Sequence, residues 1–171
     1  MEKSDLMGKI VSWNDAAAFC REKHLDGKKI VFTNGVFDLL HRGHIEYLAE
    51  AENLGDYLLV GVNDDESARR LGKGDGRPVN SEEDRLIVIA ALESVDLVIL
   101  FQQDTPLDLI ELLQPDVLVK GSDYAEGDVI GGEEVKERGG EVVLVPLRTG
   151  YSSSQLLERI LSAYTGPAAV D

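Results

Sequence analysis

The spacing of apolar and polar positions changes period several times along the chain. Trp13, Ala16, Ala17 and Cys20 recur at helical intervals, with Ser12 at an N-cap position and Gly27 beyond the end, which predicts a helix over 13–24. Lys29 to Thr33 is a short apolar run into Asn34-Gly35, a strand. Ile45, Leu48, Ala49 and Leu54 restore the helical period over 41–54, closed by Gly55. Tyr57 to Val62 is apolar without alternation, as in a strand buried on both faces. A short helix over 66–71 follows, and then the glycine-rich segment 72–80 reads as a loop. Ser81 caps a predicted helix over 82–93, with Glu82, Glu83 and Asp84 in the first turn, where the helix dipole favours negative charge. Leu97–Phe101 is a strand. Thr105 stands where it would cap a helix over 106–114, with proline at the tolerated first position. Val117–Val119 is a strand, 133–138 a helix closed by Gly139-Gly140, and Val142–Val145 the fifth strand. The last helix covers 152–164, and 165–171 reads as a frayed tail.

Strands and helices alternating in this way predict an α/β fold: a Rossmann-like, doubly wound, parallel five-stranded sheet with helices on both faces. The 171 residues suit one domain, 1–171, with an N-terminal helical segment over 1–28. Such sheets bind ligands beyond the carboxyl ends of their strands, so the loops after Thr33, Val62, Val119 and Val145 are expected to carry the chemistry.

Charge narrows the partners. Seventeen basic residues against 32 acidic ones give a net charge of −15, which repels phosphate backbones and anionic lipid, so neither nucleic acid nor a membrane is expected. A small anion in a local basic pocket remains compatible. The single cysteine, Cys20, excludes an internal disulfide and a multi-cysteine metal site and reads as structural. Met1 to Lys9 is charged and lacks the apolar centre of a signal peptide, and no apolar run approaches the roughly 18 residues of a membrane helix, so a cytoplasmic location is expected.

The strongest chemical signal is the run Gly35-Val36-Phe37-Asp38-Leu39-Leu40-His41-Arg42-Gly43-His44. It follows a buried strand and opens a helix. His41 and His44, three apart, fall on one face of the first turn, and Gly43 between them leaves that turn open to a ligand. Two donors beside the free amides of a helix N-terminus form a cradle for phosphate. Two surface histidines that merely begin a helix are the plain alternative. A metal pair is a third reading, disfavoured by the missing i, i+4 spacing and carboxylate ligand. Lys73 and Arg77 lie on the glycine-rich loop, either as solvated surface cations or as groups that fold over a triphosphate. Ser152, Ser153 and Ser154 suit the start of the last helix as caps, and the same amides and hydroxyls suit phosphate.

Thr33-Asn34-Gly35-Val36-Phe37-Asp38 with His41-x-Gly43-His44 resembles the HxGH nucleotidyltransferase superfamily, the cytidylyltransferase-like enzymes. The likeness continues through Val60-Gly61-Val62-Asn63-Asp64, Arg77-Pro78-Val79-Asn80, Val117 to Tyr124 and Gly150-Tyr151-Ser152-Ser153-Ser154. That series is similar to the branch that adenylates D-glycero-β-D-manno-heptose 1-phosphate, a step towards lipopolysaccharide, and it covers about residues 8–162. Two departures stand out. Val36 occupies a usual cysteine position, and Leu71-Gly72-Lys73-Gly74 sets the lysine one residue later than usual, which puts its reach in question.

The resemblance implies transfer of AMP from ATP, with Mg²⁺, to a sugar 1-phosphate, with release of pyrophosphate and no covalent enzyme intermediate. It implies catalytic roles for His41, His44 and Lys73. It implies nucleotide contacts from Thr33, Asn34, Gly35, Phe37, Asp38, Gly43, Lys120, Asp123, Tyr151, Ser152, Ser153 and Ser154. Substrate contacts fall to Asn63, Arg77 and Arg85. No protein metal site is implied, and a homodimer is. Two roles for Asp38 stay open here: a ligand of phosphate-bound Mg²⁺, or a brace for the histidine turn. Alternatives to the heptose reading are a cytidylyltransferase for a small alcohol phosphate such as glycerol 3-phosphate, and a non-catalytic nucleotide-binding regulatory module.

Overall fold

A computed structural model describes residues 3–72, 74, 76–148 and 150–164. The elements run α1 (Lys3–Gly8), α2 (Trp13–Leu25), β1 (Ile30–Gly35), α3 (Arg42–Glu52), β2 (Tyr57–Asn63), α4 (Asp65–Arg70), α5 (Glu82–Ala90), β3 (Leu97–Phe101), α6 (Leu107–Leu113), β4 (Val117–Gly121), a 3-10 turn over Glu126–Asp128, α7 (Gly132–Glu137), β5 (Glu141–Val145) and α8 (Ser153–Tyr164). The five strands form one parallel sheet in the order β3-β2-β1-β4-β5. Chain direction therefore reverses its progress across the sheet between β1 and β4, which is the topological switch point.

Both faces of the sheet are covered. On one, Val31, Leu58, Val60, Val98, Val117 and Val119 pack against Tyr47, Leu48 and Ala51 of α3 and Leu86, Ile89 and Ala90 of α5. On the other, Ile30, Phe32, Leu59, Ile99 and Leu118 pack against Ala16, Ala17 and Cys20 of α2 and Leu109, Ile110 and Leu113 of α6. Alternate residues of β1 and β2 thus enter opposite cores, which is why these strands are apolar without a polar face. Cys20 lies inside the second core, and burial pushes its thiol up to about 12, consistent with a packing role.

Local expectations hold where side chains act alone. Ser12 accepts from Asp15 N and Ser81 from Asp84 N, the two predicted caps. Thr105 does not cap α6: that helix begins one residue later than expected, Pro106 takes the N-cap position, and no side chain caps it. The helix predicted to reach residue 93 stops at Ala90. The segment 3–11 has more structure than its charge suggests. α1 packs on α5, Ile10 pairs in parallel with Val98, and Val98 N donates to Lys9 O at 2.8 Å, so this segment covers the outer edge of β3.

Candidate functional site

The register between β1 and β4 runs over only Val31↔Val117 and Phe32↔Leu118. Beyond those pairs, side chains bridge the two strands instead of backbone bonds. The Tyr47 hydroxyl, sent in from α3, donates to Val119 O at 3.1 Å and shares a 2.7 Å hydrogen bond with Thr33 Oγ1. Next along, Lys120 Nζ donates to Asn34 Oδ1. At this parting lies a cavity of about 350 Å³ with a half-polar lining drawn from the β1–α3 loop, α4, segment 77–78, the ends of β4 and β5, and the start of α8. It sits at the carboxyl ends of the strands, as the sheet order requires.

His41 occupies the N-cap of α3 in extended conformation and His44 lies in the first turn. Their rings stack at 3.9 Å between centroids, inclined by 19°. Gly43 is what permits this. A Cβ there would stand 3.1 Å from His41 Nδ1, 3.2 Å from His41 Cε1 and 3.3 Å from Tyr151 Cβ. The space that glycine frees is taken by the His41 ring and Tyr151, and Gly43 itself lines the cavity, as the sequence suggested. His41 Nδ1 is buried and has no hydrogen-bond partner among the described residues. Burial, and secondarily the charge of Arg159, lowers the His41 pKa, so the ring is neutral at pH 7. Phe37 sets its edge to His44 at 5.6 Å and holds a left-handed φ of 50°. Its ring comes within 3.1 Å of where a Gly35 Cβ would be, so a side chain at position 35 would have to push the Phe37 ring aside.

Asp38 turns its carboxylate to segment 77–80. Its Oδ1 accepts from Val79 N (2.8 Å) and Asn80 N (2.9 Å), and its Oδ2 lies 2.6 Å from Arg77 Nε. Lys120 is 9% exposed, and desolvation lowers its pKa to about 8, opposed by the charge of Asp123. Ser152 caps α8 by accepting from Gln155 N at 3.1 Å, and Ser153 Oγ donates to Leu39 O at 3.2 Å, tying the start of α8 to the histidine loop.

Of the residues expected at the site, Asn34, Gly35, Phe37, Asp38, His41, Gly43, His44, Arg77, Asp123, Tyr151 and Ser152 to Ser154 line the cavity. Thr33 does not; it is buried and bonded to Tyr47. Lys120 stands behind the lining, on Asn34. Lys73 lies outside the described residues. Asn63 and Arg85 require correction as sugar contacts. Asn63 is buried, with its amide on Ser67 Oγ at 3.2 Å. Arg85 is 1% exposed and spends its guanidinium on Val36 O (2.6 Å), Asn80 O (3.2 Å) and Asp65 Oδ1 (2.8 Å). An early-helix arginine and a strand-end asparagine look like ligand groups in sequence, but here each braces the backbone around the cavity.

Tyr47, Ala68, Leu147 and Arg148 also line the cavity and were not singled out in the sequence. Leu147 and Arg148 precede the Gly150-Tyr151 run and follow β5, and a cation just past a strand end was the available signal for Arg148. Arg148 Nη1 reaches both carboxylate oxygens of Glu46, at 2.9 and 3.1 Å, and its guanidinium lies 5.5 Å from the Tyr151 ring centre. Arg42 and, after it, Arg148 hold the Glu46 carboxyl below its usual range.

A second hollow at the opposite end of the sheet is lined by His24, Lys28, Lys29, Asp116 and Arg138. Its lysines pair with Asp56 and Glu141, and the C-termini of α2, α6 and α7 meet there, which disfavours an anion. Among the described residues no three His, Cys, Asp or Glu side chains cluster to hold a metal ion, and no helix is long and apolar enough to cross a membrane.

Comparison with known proteins agrees with the geometry. The cytidylyltransferase-like family model matches residues 32–159. The chain is 52% identical over 159 residues to the bifunctional protein HldE of Magnetococcus marinus, covering 93% of this chain and 32% of that protein. It is 54% identical over 149 residues to the protein of the same name from Citrifermentans bemidjiense, covering 87% and 30%. The chain therefore spans about a third of the length of these relatives. Among solved structures, a lipopolysaccharide core biosynthesis protein from Thermoplasma volcanium superposes with a TM-score of 0.60 at 34% identity, over 74% of this chain and all of that one.

Proposed function

Because the chain belongs to the cytidylyltransferase-like family, we propose that it is a nucleotidyltransferase that joins AMP from ATP to D-glycero-β-D-manno-heptose 1-phosphate, releasing pyrophosphate and forming ADP-heptose. The observation that carries the chemistry is the stacked His41/His44 pair at the start of α3, facing the same cavity as the start of α8 at Ser152–Ser154. The heptose branch is supported by the motif series and by the two half-identical relatives.

In this reading a phosphate oxygen of the sugar attacks the α-phosphorus of ATP. The bond from that phosphorus to the bridging oxygen breaks, and pyrophosphate leaves. No nucleophile of the protein takes part. The chain holds the reactants in line and supplies donors where charge gathers. His41 and His44 donate N–H groups to the α-phosphoryl oxygens. The first-turn amides of α3 and α8 add the positive ends of two helix dipoles. Arg148 and the Ser152–Ser154 turn receive the departing phosphates, with Lys73 assigned the same task by the motif series. Lys120, Asp123 and Tyr151 serve the nucleoside end. MgATP is the substrate form: the triphosphate would bring the ion, which would neutralise charge on the leaving pyrophosphate. In a protein of net charge −15, these local cations are what admit two phosphate substrates.

Purified protein with MgATP should release pyrophosphate with the heptose phosphate, much less with glycerol 3-phosphate, and none in excess EDTA. Faster turnover of CTP with glycerol 3-phosphate would overturn the branch assignment. Nucleotide binding without any pyrophosphate release would favour a regulatory module.

A further inference from the structure

The carboxylate of Asp38 is almost closed to solvent, with its side chain 2% exposed. One oxygen holds the amides of Val79 and Asn80, and the other faces Arg77 Nε. The Asp38 backbone carbonyl also accepts from Asn80 Nδ2 at 2.6 Å. From the other direction Arg85 ties Val36 O to Asn80 O. Segment 77–80 and the β1–α3 loop are thus fastened into one piece. Arg77 is the cation of that piece in the cavity lining. Its Nε lies 2.6 Å from Asp38 Oδ2, an ion pair by distance that is not aligned as a hydrogen bond, and its two terminal nitrogens have no partner among the described residues.

We infer that Asp38 is a positioning residue that aims the outer nitrogens of Arg77 at the phosphate of the acceptor substrate, and that it ligates neither the nucleotide nor its metal ion. The inference rests on the transferase reading above. Three observations carry it. First, a buried carboxylate that holds two amides through one oxygen and is ion-paired with a guanidinium through the other offers little to a further cation. Second, an uncovered carboxylate in a cavity for two phosphates would repel both, whereas the Asp38–Arg77 pair is neutral and presents only donors outward. Third, the strand order separates the two ends of the cavity. β2, with Ala68 on the helix after it, flanks β1 on one side, while β4 and β5, with Asp123 and Leu147 beyond them, lie on the other. Arg77 and Pro78 belong to the chain between β2 and β3, hence to the end away from the nucleoside. A guanidinium ion-paired on its Nε side leaves its two terminal nitrogens on the outer edge, the geometry that grips a phosphate bidentately.

Asp38→Asn keeps the shape and an oxygen for the two amides, but sets an NH₂ against Arg77 Nε–H. We expect the KM for the sugar phosphate to rise about tenfold, while the KM for ATP and the Mg²⁺ concentration for half-maximal rate move less than twofold. In Asp38→Asn/Arg77→Lys the loss should be no larger than in the worse single variant, because both changes remove one contact. A larger effect on ATP or Mg²⁺ than on the sugar phosphate, or additive losses, would overturn the inference. Hydrogen exchange at the Val79 and Asn80 amides judges the clamp without turnover. It should quicken in Asp38→Ala and stay near wild type in Asp38→Asn; exchange indifferent to Asp38→Ala refutes the clamp. Wild-type protein that fails to turn over the heptose phosphate would instead refute the transferase reading, leaving the exchange result to stand by itself.

Discussion

Adding one methyl group at Gly43 should slow the reaction without weakening the fold. The backbone there is not in the left-handed region, so alanine meets no strain of its own, and in a helix alanine is favoured over glycine by up to about 1 kcal/mol. The cost falls on the site. The new Cβ would lie 3.1 Å and 3.2 Å from two atoms of the His41 ring and 3.3 Å from Tyr151 Cβ. Such contacts relax at about 3.5–4.0 Å, so the ring has to retreat by about half an ångström. A displacement of about 1 Å in a positioned reacting group costs on the order of 10²-fold, so half of that corresponds to about tenfold in kcat. Pyrophosphate release at saturating MgATP and sugar phosphate, alongside a thermal melt, measures both halves. We expect kcat down about tenfold with Tm unchanged or slightly raised. A variant with kcat within twofold of wild type would show that the position of His41 does not govern the step. A Tm lowered by more than about 5 °C would show that the contact is absorbed by the core instead of the site.

Three further outcomes follow from the same geometry. His44→Ala should lower kcat by about 10²–10³ with little change in ATP affinity by calorimetry, since a donor aimed at developing charge acts mainly in the transition state; unchanged turnover would remove the histidine pair from the chemistry. Lys120 loses its proton near 8 in the folded chain but near 10.5 when unfolded, so the unfolded chain binds more protons across that window and stability rises with pH there. Its charge also fades above pH 8, so the KM for ATP should climb between pH 7 and 9, and Lys120→Met should abolish both trends; trends that persist in that variant contradict the assignment. Arg85→Ala strips buried donors from Val36 O and Asn80 O and a partner from Asp65, and denaturant titration should register a loss of about 3–5 kcal/mol; a loss under about 1 kcal/mol would mean that water replaces the guanidinium.

Arg85 also shows where reading residues in order reaches its end. The alternation of strands and helices, the two-sided core and the position of the site beyond the carboxyl ends of the strands all followed from local period, because period is a property of consecutive residues. The Ser12 and Ser81 caps were legible for the same reason: donor and acceptor are three residues apart. So was the meeting of His41 with His44, one helical turn apart. Thr105 failed as a cap because α6 begins one residue later than the spacing predicts, with Pro106 at the N-cap position.

Side-chain roles that depend on distant partners were decided only by the tertiary structure. Asp38 and Asn80 are 42 positions apart, Arg85 and Val36 are 49, and Tyr47 and Val119 are 72. Nothing in a single sequence says that the guanidinium of Arg85 turns inward to backbone carbonyls while that of Arg77 turns to the cavity. Both are arginines near the same loop, and burial alone separates them. By itself the sequence determined that a helix opening with paired histidines would follow the first strand, because that needs only neighbours. The folded sheet decided which charges face the cavity and which hold the walls, because an unpaired buried charge is so costly that each must find its partner wherever the fold brings one.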